Sequence, residues 1–87
     1  MSDNELMEFP CEFPIKIFGA DDAELRREVR TIIARHWGEL DASRISERRS
    51  SGGRYVSITA TIVAQNRAQI DAIYEDLTAS PHVVMSL

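Results

Sequence analysis

Several features that common functions require are scarce or absent in this chain of 87 residues. Cys11 is the only cysteine, which excludes an intramolecular disulfide and a zinc cage built from cysteines. No apolar run approaches the roughly 18 residues that a membrane-spanning helix needs. The first residues are acidic and lack the basic start and apolar stretch of a signal peptide. We therefore expect a cytoplasmic protein with no membrane partner.

Lysine is also scarce, because nine of the ten basic residues are arginine and Lys16 stands alone. Acidic residues outnumber the basic ones and give a net charge of −4. Proteins that bind nucleic acids neutralise phosphates with Lys and Arg, so this balance disfavours nucleic acid as a general partner.

The length of 87 residues leaves room for one domain only. Pro10 and Pro14 argue against a continuous helix near the start of the chain. We expect residues 1–12 to form an N-terminal arm, attached to the body by Leu6 and Phe9, and residues 13–87 to form the domain.

Apolar residues recur with strand and helix periods along the domain. The first helix is predicted to begin at a capping box, with Asp21 as N-cap and Glu24 at its third position. Asn66 and Gln69 repeat this pattern before the second helix, which Ser80-Pro81 ends. The predicted elements are a strand over 13–18, a helix ending at Gly38, strands over 41–50 and 54–63, a helix from 66 to 80, and a strand over 82–87.

The two middle strands flank Ser51-Gly52-Gly53, which is typical of a hairpin turn. If Gly52-Gly53 is a two-residue turn, each residue pairs with the one whose sequence number brings the sum of the two numbers to 105. Ile45 then joins the core face of the sheet, while Arg44 and Arg48 join the polar face beside Ser57 and the neighbouring threonines.

The order strand, helix, strand, strand, helix, strand predicts an α+β fold of the ferredoxin-like βαββαβ kind. Two right-handed crossovers interleave to give a four-stranded antiparallel sheet in the spatial order 4-1-3-2. Both helices cover one face of this two-layer sandwich, and the other face stays open. On the final strand, Val83, Met85 and Leu87 are expected to share one side.

Several segments resemble the YbeD-like family of small bacterial proteins. The most specific is Glu8-Phe9-Pro10, which leads into the strand that ends at Gly19, and the resemblance continues at the same spacing through residues 53–59 and 73–77 to Val84-Met85. It implies a ferredoxin-like fold similar to ACT-type regulatory domains, which sense small ligands, and the family's proposed role in regulating lipoate metabolism. The family has no established catalytic residues that this chain could inherit.

The residues themselves predict no enzyme, no metal and no cofactor. Asp21, Asp22 and Glu24 cluster, but capping and the helix dipole explain all three. His36 lies on the apolar stripe of the first helix, where a histidine that donates to a helix carbonyl is the simpler interpretation. No metal-ligand spacing joins His82 to His36 or Cys11.

The open sheet face and the hairpin therefore form the candidate binding surface. We expect it to bind another protein or a small anionic metabolite, because its basic residues have little acid nearby. One competing interpretation is a charged edge strand that prevents aggregation, and another is that the acidic N-terminal arm screens the basic residues within the same molecule. Phe18 and Val84 are expected interface residues on this face. The predicted binding residues are Lys16, Phe18, Arg44, Arg48, Arg49 and Tyr55.

Other hypotheses remain open. One is an ACT-like homodimer that pairs through an edge strand and holds a ligand at a loop of Gly19, Ala20, Asp21 and Asp22. Another is an RNA-binding module, for which the open face offers Phe18 and Tyr55 as stacking platforms. A cryptic enzyme ranks last.

Overall fold

The computed structural model describes residues 7–87, so the predicted anchor Leu6 lies outside the described residues. The strands form one antiparallel sheet in the order β2-β3-β1-β4. This order confirms the predicted ferredoxin-like topology. The elements are β1 (Cys11–Ala20), α1 (Ala23–His36), β2 (Ile45–Arg49), β3 (Tyr55–Ala64), α2 (Arg67–Ala79) and β4 (Val83–Ser86), with a 3-10 turn over Ala42–Arg44 before β2.

The core lies between the sheet and the two helices. Alternate residues of β1 and β3 point toward the helices, and Ile15, Ile17, Ile58 and Ile62 are all fully buried there. The helices meet them with residues spaced at the helical period, which is why the amphipathic stripes were visible in the sequence. The buried helix residues are Leu25, Val29, Ile32, Ile33, Ile70, Ile73 and Leu77.

Strand β1 begins at Cys11, two residues before the predicted start, because Cys11 and Glu12 pair with the end of β3. Pro14 consequently lies inside the strand. Lys16 exchanges both backbone hydrogen bonds with Leu87, so its N–H and C=O point toward β4. Pro14, two positions earlier, has its backbone N on the same side of the strand. Strand β4 does not extend alongside Pro14, and the missing N–H leaves no ladder bond unmade.

The N-cap of α1 is Asp22, so the prediction of Asp21 was wrong by one residue. The Asp22 carboxylate accepts a hydrogen bond of 2.8 Å from the backbone N–H of Leu25. Both aspartates are good caps, and Asp21 is instead held by arginines. The predicted cap of α2 is confirmed, since Asn66 accepts from the backbone N–H of Gln69 at 2.9 Å.

The hairpin has the predicted register, with Ile45 opposite Ala60 and Arg48 opposite Ser57. The predicted two-residue turn is wrong, because the strands are joined by a wider loop. The backbone N–H of Gly53 donates to Ser50 and that of Ser50 donates to Tyr55, so residues 51–54 form the connection. Gly53 has a φ of 71°, the left-handed region that glycine adopts most easily.

Two strand predictions change at the ends of the sheet. Strand β2 starts at Ile45 rather than at residue 41, because Asp41 accepts from Ser43 and caps a 3-10 turn that contains Arg44. In β4, an irregular register places Val83 opposite Gly19 on the helix side, where it packs against the core. Val83 therefore does not share a side with Met85, which lies opposite Phe18.

Candidate functional site

The sheet surface that faces away from the helices, termed here the open face, is arranged in rows across the strands. The strand register places Arg48, Ser57, Phe18 and Met85 side by side in one row. The next row toward the hairpin loop contains Tyr55. Because side chains of paired residues lie about 4.5–5.5 Å apart, each residue in the row is the immediate neighbour of the next.

A hollow of about 270 Å³ lies at the hairpin end of this face, and we refer to it as the hairpin pocket. Ser57 is small and sits between Arg48 and Phe18, so a depression forms where the larger neighbours project past it. Tyr55 stands beside it with half of its surface exposed. The lining residues are Phe18, Arg48, Arg49, Ser50, Tyr55, Val56 and Ser57.

Arg48 supplies an uncommitted positive charge at this pocket. Among residues 7–87, its guanidinium has no hydrogen-bonding or ion-pairing partner. The same is true of Lys16 within the described part of the chain, one row further along the open face. A guanidinium without an acidic partner is free to receive a carboxylate or phosphate from outside.

Arg49, the next residue along, is committed to an internal network on the helix side of the sheet. Its Nε lies 3.0 Å from Asp21, which also contacts Arg26 at 2.7 Å. Arg26 reaches Glu47 with two hydrogen bonds of 2.7 and 2.9 Å. These bonds raise the pKa of Arg26 and lower the pKa of Glu47. The network connects β2 to the start of α1. Arg49 lines the pocket, but its charge is already paired with Asp21.

Arg44 lies apart from the hairpin pocket, near the opposite end of the sheet. Its Nη1 is 3.2 Å from a carboxylate oxygen of Glu12 and donates to the carbonyl of Thr61 at 3.3 Å. The guanidinium also stacks over the ring of Trp37 at 5.6 Å from its centroid. The structure therefore brings together Phe18, Arg48 and Tyr55, with Lys16 close by, and separates Arg44 from them.

The alternative ligand loop, Gly19 to Asp22, is filled by internal contacts. Gly19 is buried, and a Cβ placed on it would lie 2.6 Å from the backbone oxygen of His82 and 2.9 Å from Leu25. The backbone N–H of Asp21 donates to Arg54, and that of Asp22 donates to Ala20. Asp21 and Asp22 also use their carboxylates within the protein, so their polar groups in this loop are engaged.

The histidines contact carboxylates on neighbouring elements. His36 Nε2 lies 2.6 Å from Asp76, so its partner is a carboxylate of α2 and not the helix carbonyl that was predicted. Contacts from His36 and Arg35 lower the pKa of Asp76. His82 lies 3.8 Å from Glu24. Among the residues described, no group of three or more His, Cys, Asp or Glu is placed to hold a metal ion.

Sequence reasoning missed two open-face residues, Met85 and Leu87. Met85 lies opposite Phe18, and Leu87 exchanges backbone hydrogen bonds with Lys16. Their exposed fractions are 48% and 61%, high for large apolar side chains. Alternation within β4, with Val84 expected on the open face, assigned them to the opposite side. The pairing with β1 shows that this assignment was wrong and that both lie on the open face. Within residues 7–87, no helix combines the length and apolar character needed to cross a membrane.

Comparison with known proteins shows that the chain is similar to proteins from several bacteria. The profile of a family described as "Protein of unknown function (DUF493)" matches residues 4–87. A UPF0250 protein of Paraburkholderia phytofirmans is 45% identical over 82 residues, covering 94% of this chain and 92% of that protein. A UPF0250 protein of Nitrosomonas europaea is 37% identical over 87 residues and covers both chains completely. One of Chromobacterium violaceum is 42% identical over 89 residues, again with complete coverage.

Proposed function

Because this chain belongs to the DUF493 family of bacterial proteins, which includes the UPF0250 relatives, we propose that it is a small regulatory or adaptor protein of the cytoplasm. It acts by binding and catalyses no reaction. The YbeD-like resemblance supports a place in the regulation of lipoate metabolism. The binding surface is the open face of the sheet, centred on the hairpin pocket, and its partner is a protein or a small metabolite that carries negative charge.

The observation that carries this proposal is an unpaired Arg48 that lines the same hollow as two aromatic side chains. Elsewhere on the sheet, Arg44 and Arg49 are neutralised by Glu12 and Asp21. Arg48 has no such partner among the described residues, and it lines one hollow together with Phe18 and Tyr55. A charge flanked by apolar rings is typical of a recognition site, since the rings exclude water and the charge fixes orientation.

The titratable groups that come together support binding over catalysis. His36 and Asp76 join the two helices, and Arg26 joins Asp21 to Glu47. Each cluster connects two structural elements and is saturated by its own contacts. General acid–base catalysis requires groups that converge on a space where a substrate fits.

The proposal is tested by capture from the native cytoplasm with wild-type protein and with Arg48→Ser. We expect the partners retained by the wild type to be lost from the variant. Arg44→Ser is the matched control, because it removes the same charge from a site where the arginine is already paired. Unchanged partners with Arg48→Ser, or equal losses with both variants, would contradict the proposal.

A second candidate is the homodimer, which the uncharged edge of β4 favours. The other edge strand, β2, carries Glu47, Arg48 and Arg49, and charges of this kind discourage pairing between sheet edges. Residues 83–87 carry no charged side chain, and Val84 is 71% exposed. Two copies of the chain could therefore pair along this edge, with one β4 antiparallel to the other, and no charged side chains of residues 83–87 would repel each other.

Light scattering after size-exclusion chromatography tests the homodimer. We expect a mass of twice the chain for the wild type and the mass of a single chain for Val84→Lys, which places a charge on the edge. Thr31→Lys on α1 adds the same charge at an exposed position beside Arg27, Arg30 and Leu40 and serves as the control. A single-chain mass for the wild type at high protein concentration would remove this candidate.

A further inference from the structure

The hairpin pocket has the composition of a site for one particular class of small molecule. We propose that it binds a free monocarboxylate whose apolar body is about one ring in size, with the carboxylate on Arg48 and the body against Phe18 and Tyr55. This inference rests on the proposed function and names the ligand class of its binding surface.

The charge of the ligand follows from the donors that the pocket offers. Arg48 is the one unpaired cation among the described lining residues, and a guanidinium holds a carboxylate with two parallel hydrogen bonds. Phosphate sites usually add several free backbone N–H groups. Here the pocket-lining residues Ser50 and Tyr55 both use their N–H groups within the hairpin. One negative charge is therefore the better match.

The size and character of the ligand body follow from the hollow. Its volume of about 270 Å³ lies just below the roughly 300–1,000 Å³ typical of pockets for drug-sized ligands. Phe18 is half-buried and Tyr55 half-exposed, so two ring surfaces are available for stacking. The Ser57 hydroxyl, between Arg48 and Phe18, has no hydrogen-bonding partner among residues 7–87 and is placed to donate to the second carboxylate oxygen.

The pocket is distinct from the loop at Gly19 to Asp22. That loop is occupied by the contacts of Asp21 with Arg26 and Arg49, whereas the hairpin pocket opens on the other side of the sheet. Because the pocket is a few residues wide, a single small molecule fills it. A peptide would have to extend over neighbouring rows of the open face.

The test is a titration of the ¹⁵N-labelled protein with phenylacetate, followed by NMR. We expect saturable shifts of the amide signals of Phe18, Arg48 and Ser57, which phenylethanol and inorganic phosphate do not reproduce. Arg48→Gln should weaken binding by about tenfold or more, the effect of losing a charged hydrogen bond. Arg27→Gln removes the same charge from the exposed side of α1 and should leave the dissociation constant unchanged.

Each alternative outcome overturns the proposal in a recognisable way. Equal shifts with phenylethanol would show a purely apolar site, and stronger binding of phosphate would show a phosphate site. Tighter binding of a peptide that ends in a free Phe carboxylate would assign the pocket to a protein terminus. If no carboxylate binds while capture of partners still depends on Arg48, the ligand class is wrong and the proposed function survives.

Discussion

The two faces of the sheet are built from the same strands and differ in almost every physical property. On the helix side, Ile15, Ile17 and Ile58 are completely buried. Their direct neighbours along the chain, such as Lys16 and Thr59, lie on the open face. Since successive residues of a strand point to opposite sides, alternate residues of the same strands build the core and the open face.

Because only one face is covered, apolar residues make different contributions to stability on the two faces. An isoleucine on the helix side is surrounded by the core and contributes through burial. Tyr55 and Met85 lie on a face that no layer of residues 7–87 covers, and about half of each side chain stays exposed and available for contact. The following predictions test this difference, beginning with the largest effect.

The largest expected effect is the loss of a core side chain on the covered face. Ile58→Ala should lower the free energy of unfolding by about 2–5 kcal/mol, because it removes buried methyl groups and leaves a cavity. The matched open-face variant, Thr59→Ala, should cost less than about 1 kcal/mol. Urea unfolding measures both. Similar losses for the two variants would contradict the separation of the faces.

The next effect concerns the close contact between β1 and His82, the residue before β4. Gly19→Ala should destabilise the fold by about 1–3 kcal/mol, because the new Cβ would press on the backbone of His82. Gly52→Ala is the control, since nothing lies within 4 Å of a Cβ at that position. Thermal unfolding of both variants gives the comparison. If Gly19→Ala unfolded at the wild-type temperature, the contact would not constrain the sheet.

A smaller effect is expected at the start of α1, which forms part of the covering layer. Asp22→Ala removes the bond to the N–H of Leu25 and should cost about 1 kcal/mol. Asp22→Asn retains an oxygen that can accept this bond, so it should stay within a few tenths of the wild type. Chemical unfolding of the three proteins measures the cap. An equal loss for Asn would point to charge and not to capping.

The smallest expected effect is a pH dependence of the contact between the helices. The contacts with His36 and Arg35 lower the pKa of Asp76 in the folded protein. Their stabilisation is therefore complete above the unfolded-state pKa of about 4 and is lost as pH falls through the lower folded-state value. Asp76→Asn should reduce the fall in melting temperature between pH 5 and pH 2. An identical acid slope in both proteins would exclude a contribution from Asp76.

Much of the fold was predictable because local signals and periodicity agreed. The stripes of α1 and α2 and the alternation in β3 indicated which residues meet in the core. The hairpin register was predicted even though the turn was not, because a loop centred between Gly52 and Gly53 pairs the same residues whether it is short or wide.

The candidate site was only partly predictable because it depends on partners that are distant in the sequence. Lys16, Phe18, Arg48 and Tyr55 were assigned to the open face from alternation, which is a local property. Whether an arginine is free depends on which carboxylate lies near it in space. Arg44 meets Glu12 across 32 positions of sequence, and no local pattern predicts that pairing.

By itself, the sequence determined the order of elements, the helix-facing residues and the separation of the sheet into a covered and an open face. Periodicity is a property of neighbouring residues, and burial of the apolar set follows from it. Only the tertiary structure decided that Asp22 caps α1, that Met85 lies on the open face while Val83 does not, and that Arg48 is unpaired in the hairpin pocket. Each of these depends on a distance between strands or side chains, which is set when the layers pack together.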